Sequence, residues 1–280
     1  IRLSLVGSEM CIRDRPWPLS AQQSQVLSQM AAAPGPFLIH GATGSGKTEV
    51  YLQAVAQCLA EDPDAQALMM VPEINLTPQL EARVKARFGE EGVVSMHSGM
   101  TGPQRLKSWL AAHKGSARIV LGTRMAIFAS MPRLKWLVVD EEHDASYKQQ
   151  EGARYSARDL AIYRARLEGA KVILGSATPS LESWHQSRPA EEGGRYLRLQ
   201  MPARIGAGQL PFVRRVDMNH QPRKTVLSAP LIAAIQARVA KGEQSMLLLN
   251  RRGYAPVLHC SDCGWKSAVS YTHLTLPTKA

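Results

Sequence analysis

Cysteine is scarce in this 280-residue chain: four residues, with Cys11 and Cys58 scattered and Cys260 and Cys263 close together. That arrangement makes no disulfide framework, so stability has to come from a buried core, and a reducing, cytoplasmic setting is expected. Long hydrophobic runs are also missing. Stretches such as 68–71 (LMMV) and 136–139 (WLVV) fall far short of the ~20 apolar residues that a bilayer-spanning helix needs, so no membrane partner is expected. Acidic side chains are the third shortage, 23 against 34 Lys and Arg, for a formal net charge of +11. The deficit is concentrated at one end, where residues 201–280 carry 11 basic and 3 acidic side chains. Such a field attracts polyanions, nucleic acid first, and is equally compatible with a solvated basic surface. The rest is ordinary: 45% hydrophobic and 20% charged residues suit one large domain or two of usual size, neither disordered nor fibrous.

Residues 1–15 (IRLSLVGSEMCIRDR) hold no signal-peptide core and no small-residue cleavage site. Together with the tail at 268–280 they read as translated adapter sequence, so the native stretch is expected to run from about 16 to 266. Within it, short β-branched or apolar runs at 37–40, 68–71, 93–97, 118–121, 136–140 and 171–175 alternate with helical patterns. That alternation predicts a parallel sheet with helices on both faces. After Thr48, the residues Val50, Tyr51, Ala54, Val55, Cys58 and Leu59 form one stripe of a helix, with the Cys58 thiol packed inside it. The Gly-, Pro- and Arg-rich stretch 191–211 reads as a linker or hairpin, followed by a second domain with a helix at 230–240 and a strand at 245–249.

Two motifs carry chemistry. Residues 41–48, GATGSGKT, satisfy G-x-x-x-x-G-K-[ST] between a predicted strand and a predicted helix. In such a loop Gly41, Thr43, Gly44, Ser45 and Gly46 wrap phosphate oxygens with backbone N–H groups, in conformations that a Cβ would obstruct. Lys47 reaches the β and γ phosphates, and Thr48 offers its hydroxyl to Mg²⁺. The second motif is the acidic run Asp140-Glu141-Glu142-His143-Asp144 at the end of a buried-type strand. Asp140 is placed to hold Mg²⁺ and Glu141 to orient or deprotonate the attacking water, whereas Glu142 and Asp144 read as solvated loop residues. A phosphate loop needs its metal-holding acid on a neighbouring strand, so the two motifs together imply hydrolysis of a nucleotide, where the loop alone implies binding.

The blocks GATGSGKTEVYL, VPEINLTPQ, HSGM, IVLGTR, VVDEEHDASYKQQEGARYSARDLAIYRA, ILGSATPSLES and LLLNRRGYAPVLHCSDCGW follow one another in this order. In them the chain resembles superfamily 2 helicases and, among these, the bacterial replication-restart helicases. The resemblance implies an α/β architecture: a RecA-like P-loop NTPase lobe over 16–205, the beginning of a second RecA-like lobe over 206–259, and the start of a zinc-binding region over 260–267. It implies that Gln23 reads adenine, where the residue by itself could simply start a helix. It also implies that Pro72, Glu73, Thr77 and Gln79, with Gly122, Thr123 and Arg124, grip single-stranded DNA without base selectivity. Ser176 and Thr178 would link hydrolysis to movement, with His143 contacting them. Tyr147, Lys148, Arg154 and Tyr155 would belong to an aromatic-rich loop that senses DNA, a segment that composition alone would leave as a solvated loop.

Cys260 and Cys263 supply half of a structural zinc site, the rest of which the family carries in further cysteine pairs; an unmetallated pair and a redox dithiol are the other readings. The activity implied is ATP-dependent 3′-to-5′ DNA unwinding during primosome assembly at stalled forks, with ATP, Mg²⁺ and zinc as cofactors. Single-stranded and forked DNA, replication-restart proteins and single-strand-binding protein are the implied partners. The family's DNA-binding modules and the later lobe-two arginine are not matched, so weak or absent hydrolysis is expected of this chain. A related superfamily 2 DNA translocase, or a non-catalytic ATP-gated DNA-binding scaffold, are the alternatives.

Overall fold

The computed structural model describes residues 18–72, 78–205, 212–222 and 225–248. The chain divides into two compact units, Ile1–Leu210 and Pro211–Ala280. The first unit contains the strands β1 (Phe37–Gly41), β2 (Gln66–Met70), β3 (Val93–Met96), β4 (Ile119–Gly122), β5 (Leu134–Asp140), β6 (Lys171–Ser176) and β7 (Leu197–Met201). They form one sheet in the order β3-β4-β2-β5-β6-β1-β7, and every pairing is parallel. Its helices are α1 (Ala21–Ala32), α2 (Lys47–Glu61), α3 (Pro78–Phe88), α4 (Gly102–Lys114), α5 (Ala157–Glu168) and α6 (Leu181–Gln186).

Both faces of the sheet are covered, as parallel strands require. Successive residues of β5 show the division: Trp136 and Val138 pack with Val26, Leu27 and Met30 of α1 and with Val50, Tyr51 and Val55 of α2. Leu137 and Val139 point the other way, towards Ala157, Ala161 and Ala165 of α5. Alanine at those three positions lets α5 lie close on the strands. Full burial of side chains such as Leu137 and Phe37 contributes about 1.5–3 kcal/mol each. The stripe expected after Thr48 is α2, with Val50, Tyr51, Ala54 and Val55 buried and Cys58 and Leu59 half-buried against the same cluster. Burial pushes the Cys58 thiol above its ordinary pKa, which keeps it protonated and unreactive.

Three expectations need correction. Residues 197–201, inside the expected linker, form β7, which pairs with β1 from Phe37↔Leu197 to Gly41↔Met201. As an edge strand it buries only Leu199 and Met201, and this short alternation is masked by the Gly- and Arg-rich residues around it. Second, β5 is not the neighbour of β1, because β6 lies between them. Third, residues 245–248 adopt no regular structure, since a strand needs a ladder partner and none of the described residues provides one. The second unit contributes helix α7 (Ala229–Ala240), capped by the Ser228 hydroxyl accepting from the Leu231 N–H. Among the described residues no helix is long and apolar enough to cross a membrane.

Candidate functional site

The carboxyl ends of β1, β5 and β6 gather the chemistry, as open parallel sheets do. Directly after β1, Gly44 (φ 82°) and Gly46 (φ 79°) take left-handed conformations that turn the chain into α2. Thr43 and Gly44 are exposed, while Ser45 and Lys47 are buried and Thr48 sits in the first turn of α2. The Ser45 hydroxyl is shielded from solvent and has no hydrogen-bond partner. Lys47 Nζ donates to the Gly41 carbonyl at 3.0 Å and lies 3.9 Å from Glu141 Oε1. Strands repeat at about 4.8 Å, so two steps across the sheet are roughly 10 Å, and the reach of Lys47 bridges the interval that β6 introduces.

Gly175 makes that crossing possible. It pairs with Asp140 across β5 and β6, and a Cβ there would collide with the Tyr51 hydroxyl. Tyr51, from α2, therefore lies over a bare strand tip and faces the Asp140 carboxyl, although its hydroxyl completes no hydrogen bond. Burial, then the Asp140 and Glu141 charges, raise its pKa well above the ordinary phenol value.

Burial and the adjacent Glu141 charge push the Asp140 carboxyl up to about 6, against the lowering pull of Lys47 and of the Glu141 N–H at 3.1 Å. Glu141 itself has φ 46°, the left-handed region that a non-glycine residue occupies only at a cost. Two adjacent carboxylates, one of them largely desolvated, beside the Lys47 ammonium make a charge cluster whose repulsion a bound cation would relieve. Without metal, Asp140 binds its proton more tightly folded than unfolded. Its contribution to stability is therefore complete below the ordinary carboxylate pKa of 3.8 and is lost as pH rises through 6. With chelator present, Asp140→Asn is expected to melt above the parent chain at about pH 7.5, with the gap closing towards about pH 4. A gap independent of pH in thermal unfolding would show that the carboxylate carries no such penalty.

Gln23 is buried, and both ends of its amide have partners: Oε1 accepts from the Ser20 N–H at 2.8 Å, closing a capping box and keeping one acceptor site, and Nε2 donates over longer distances to the Ser45 and Gly46 carbonyls, 3.3 and 3.4 Å. It is thus attached to the glycine loop itself. His143 Nδ1 lies 2.7 Å from the Ser176 hydroxyl and 3.7 Å from Glu141 Oε2, and its Nε2 lies 3.4 Å from Thr178 Oγ1. A short chain of polar contacts therefore joins Glu141 to the segment after β6.

The expected DNA-facing residues are distributed unevenly. Pro72 is buried just after β2, Gln79 is exposed in the first turn of α3, and Glu73 and Thr77 lie outside the described residues, as do Cys260 and Cys263. Gly122 ends β4 and Thr123 is buried; Arg124 Nη1 donates to the Ser146 and Lys148 carbonyls at 2.8 and 3.2 Å. Arg124 thereby ties the β4 end to the loop after β5, which is closed by a Lys148↔Ser156 bridge and a Gln149 N–H donated to the Tyr155 carbonyl. Lys148 and Arg154 are exposed, and Tyr155 meets Phe128 edge-on at 5.0 Å. Tyr147 differs from the expectation: it is 2% exposed, and its hydroxyl donates towards the Asp140 and Met70 carbonyls at 2.6 and 3.1 Å. Its ring is core and offers no stacking face, since the apolar cluster beneath β5 gains more from it than solvent does.

Glu142, a loop-solvating acid by sequence, is instead buried, at 1% exposure. Its carboxylate accepts from the Ser180 N–H (2.7 Å), the Ser180 and Ser183 hydroxyls (3.0 and 2.8 Å) and Arg158 Nη1 (3.3 Å). No local signal separates it from Glu141, because the four partners come from α5 and the start of α6. Among the described residues no group of three or more His, Cys, Asp or Glu could hold a metal without help.

The DEAD/DEAH box helicase family matches residues 20–186. Replication restart protein PriA of Bacillus subtilis is 43% identical over 232 residues, covering 82% of this chain and 28% of that protein. PriA of Haemophilus influenzae is 44% identical over 249 residues, 88% of this chain and 33% of its own length. The chain thus spans about a third of the length of these curated relatives. A structure of RecG bound to a three-way DNA junction aligns with a TM-score of 0.49 at 20% identity, over 71% of this chain and 26% of that one.

Proposed function

We infer the function from one premise: the chain belongs to the DEAD/DEAH box helicase family. We propose that it is the ATP-binding RecA-like lobe of a replication-restart DNA helicase that moves 3′ to 5′ on single-stranded DNA at stalled forks. The observation that carries this is the approach of Lys47 to Glu141 across an intervening strand, which brings the glycine loop and the acidic strand end into one pocket.

In this reading the backbone N–H groups of residues 43–48 and the Lys47 ammonium hold the phosphates, while Thr48 and Asp140 hold Mg²⁺. Bound MgATP supplies the phosphoryl group to be transferred to water. Glu141 orients that water and takes its proton. His143 then carries a change at Glu141 to Ser176 and Thr178, and the loop from Lys148 to Tyr155, anchored by Arg124, meets the DNA backbone with exposed cations. Replication-restart proteins and single-strand-binding protein are proposed partners. Residues 206–259 are proposed to open the second lobe, and Cys260 with Cys263 to give half of a zinc site, on the strength of their C-x-x-C spacing.

Phosphate release from MgATP, with and without single-stranded DNA, tests the reading. At most weak turnover is expected of this chain, and whatever turnover it shows is expected to be abolished in Glu141→Gln while ATP still binds. Turnover that survives Glu141→Gln would overturn it, and DNA retention with no turnover would favour the scaffold alternative.

A further inference from the structure

The edge strand β7 brings two more side chains onto the glycine loop. Its pairing with β1 continues past the sheet: the Ala42 N–H donates to the Met201 carbonyl at 3.1 Å, and the Ile205 N–H donates to the Gly44 carbonyl at 2.9 Å. Residues 201–205 therefore run alongside residues 41–46, held at both ends by backbone hydrogen bonds. At the Gly46 end, a Cβ would meet both Gln23 Nε2 and Ile205 Cδ1, so a buried amide and an apolar side chain border the same spot. Ile205 is 61% exposed, an uncovered apolar surface at the rim of a polar loop. At the Gly44 end lies Arg204, with Cγ 4.0 Å from where a Cβ would stand. Its Nε is shielded from solvent and has no hydrogen-bond partner. A guanidinium presents five donors, and a shielded Nε without an acceptor in the protein is a donor that an anionic ligand can satisfy.

We propose that Arg204 and Ile205 form a further wall of the nucleotide site. Ile205 provides the apolar surface on which the purine lies beside Gln23, and Arg204 provides a second cation, after Lys47, for the phosphates. Arginine suits that place because its planar fork binds phosphate oxygens in pairs. The proposal rests on residues 41–48 being a triphosphate site, and it makes base selection a property of the segment after β7 as much as of Gln23.

Calorimetric titration of the whole chain with ATP and, separately, with inorganic triphosphate tests it. Arg204→Gln is expected to weaken both ligands about tenfold, the loss of one charge-assisted contact. Ile205→Ser is expected to weaken ATP roughly fivefold and to leave triphosphate unchanged, since only ATP has a base to cover the side chain. Both positions are at least partly exposed, and matching melting temperatures check that the variants fold. Unchanged ATP affinity in either variant, or equal losses of both ligands at Ile205, overturns the proposal. Lys47→Ala separates it from its premise: if that variant keeps both ligands, the glycine loop is not the site at all. If Lys47→Ala alone loses them, the loop stands and the added wall falls.

Discussion

Lys47→Ala is expected to lower the affinity for MgATP by about a hundredfold or more without unfolding the chain. The ammonium is buried and donates to the Gly41 carbonyl at 3.0 Å, with Glu141 the nearest counter-charge at 3.9 Å. It is thus a cation held in a dry pocket by one carbonyl and one loosely placed carboxylate, and a triphosphate offers it better partners. Two charge-assisted hydrogen bonds at about 1.5–3 kcal/mol each correspond to a hundredfold or more in binding. The cost to the fold is smaller, because the truncation leaves one buried carbonyl without this donor, about 1–3 kcal/mol. Titration with a fluorescent ATP analogue, beside a denaturation curve, measures both. Retained affinity would mean that the loop is structural and that the reading of the site is wrong.

The largest loss of stability is expected at Glu142. Glu142→Ala removes a fully buried carboxylate and leaves the Ser180 N–H, two serine hydroxyls and Arg158 without their shared acceptor. Breaking one side of a buried charge pair typically costs about 3–5 kcal/mol, and a domain of this size loses roughly 2–4 °C of melting temperature per kcal/mol. A fall of about 10 °C is therefore expected. Glu142→Gln, which keeps one acceptor oxygen and the shape, should lose less. The urea midpoint discriminates: if the alanine variant unfolds at the parent's concentration, the carboxylate does not hold α5 and α6 to the end of β5. Because Glu142 follows Glu141 in the chain, the same anchor also fixes the strained φ 46° turn that aims Glu141 at Lys47.

Much of this was legible in the residue order. The six runs between residues 37 and 175 that read as strands fall on strands of the sheet, whereas the described residues of the one at 245–249 do not, and the helical stripe after Thr48 is α2. Period-two and near-period-four hydrophobic patterns are local, and burial on two faces or on one side writes them directly into the sequence. Local too is the glycine loop, whose left-handed turns at Gly44 and Gly46 require the residue type found there. What escaped is non-local. β7 exists only because β1 has an open edge; its own alternation is too short and too exposed to announce it. Tyr147 reads as a loop aromatic, yet its hydroxyl finds carbonyls from the ends of β2 and β5, partners far apart in the chain.

The acidic run shows the division within five residues. Sequence determined that carboxylates would crowd the tip of a buried strand, because apolar residues at 136–139 force that strand into the sheet and expel the charges to its end. It could not assign them different work. Asp140 faces Tyr51 across the bare tip at Gly175, Glu141 turns to Lys47, and Glu142 turns away into four donors from α5 and α6. Those partners lie on elements that only the closing of the sheet brings together. A carboxylate's role is set by the donors and charges that surround it, and its chain neighbours supply few of them.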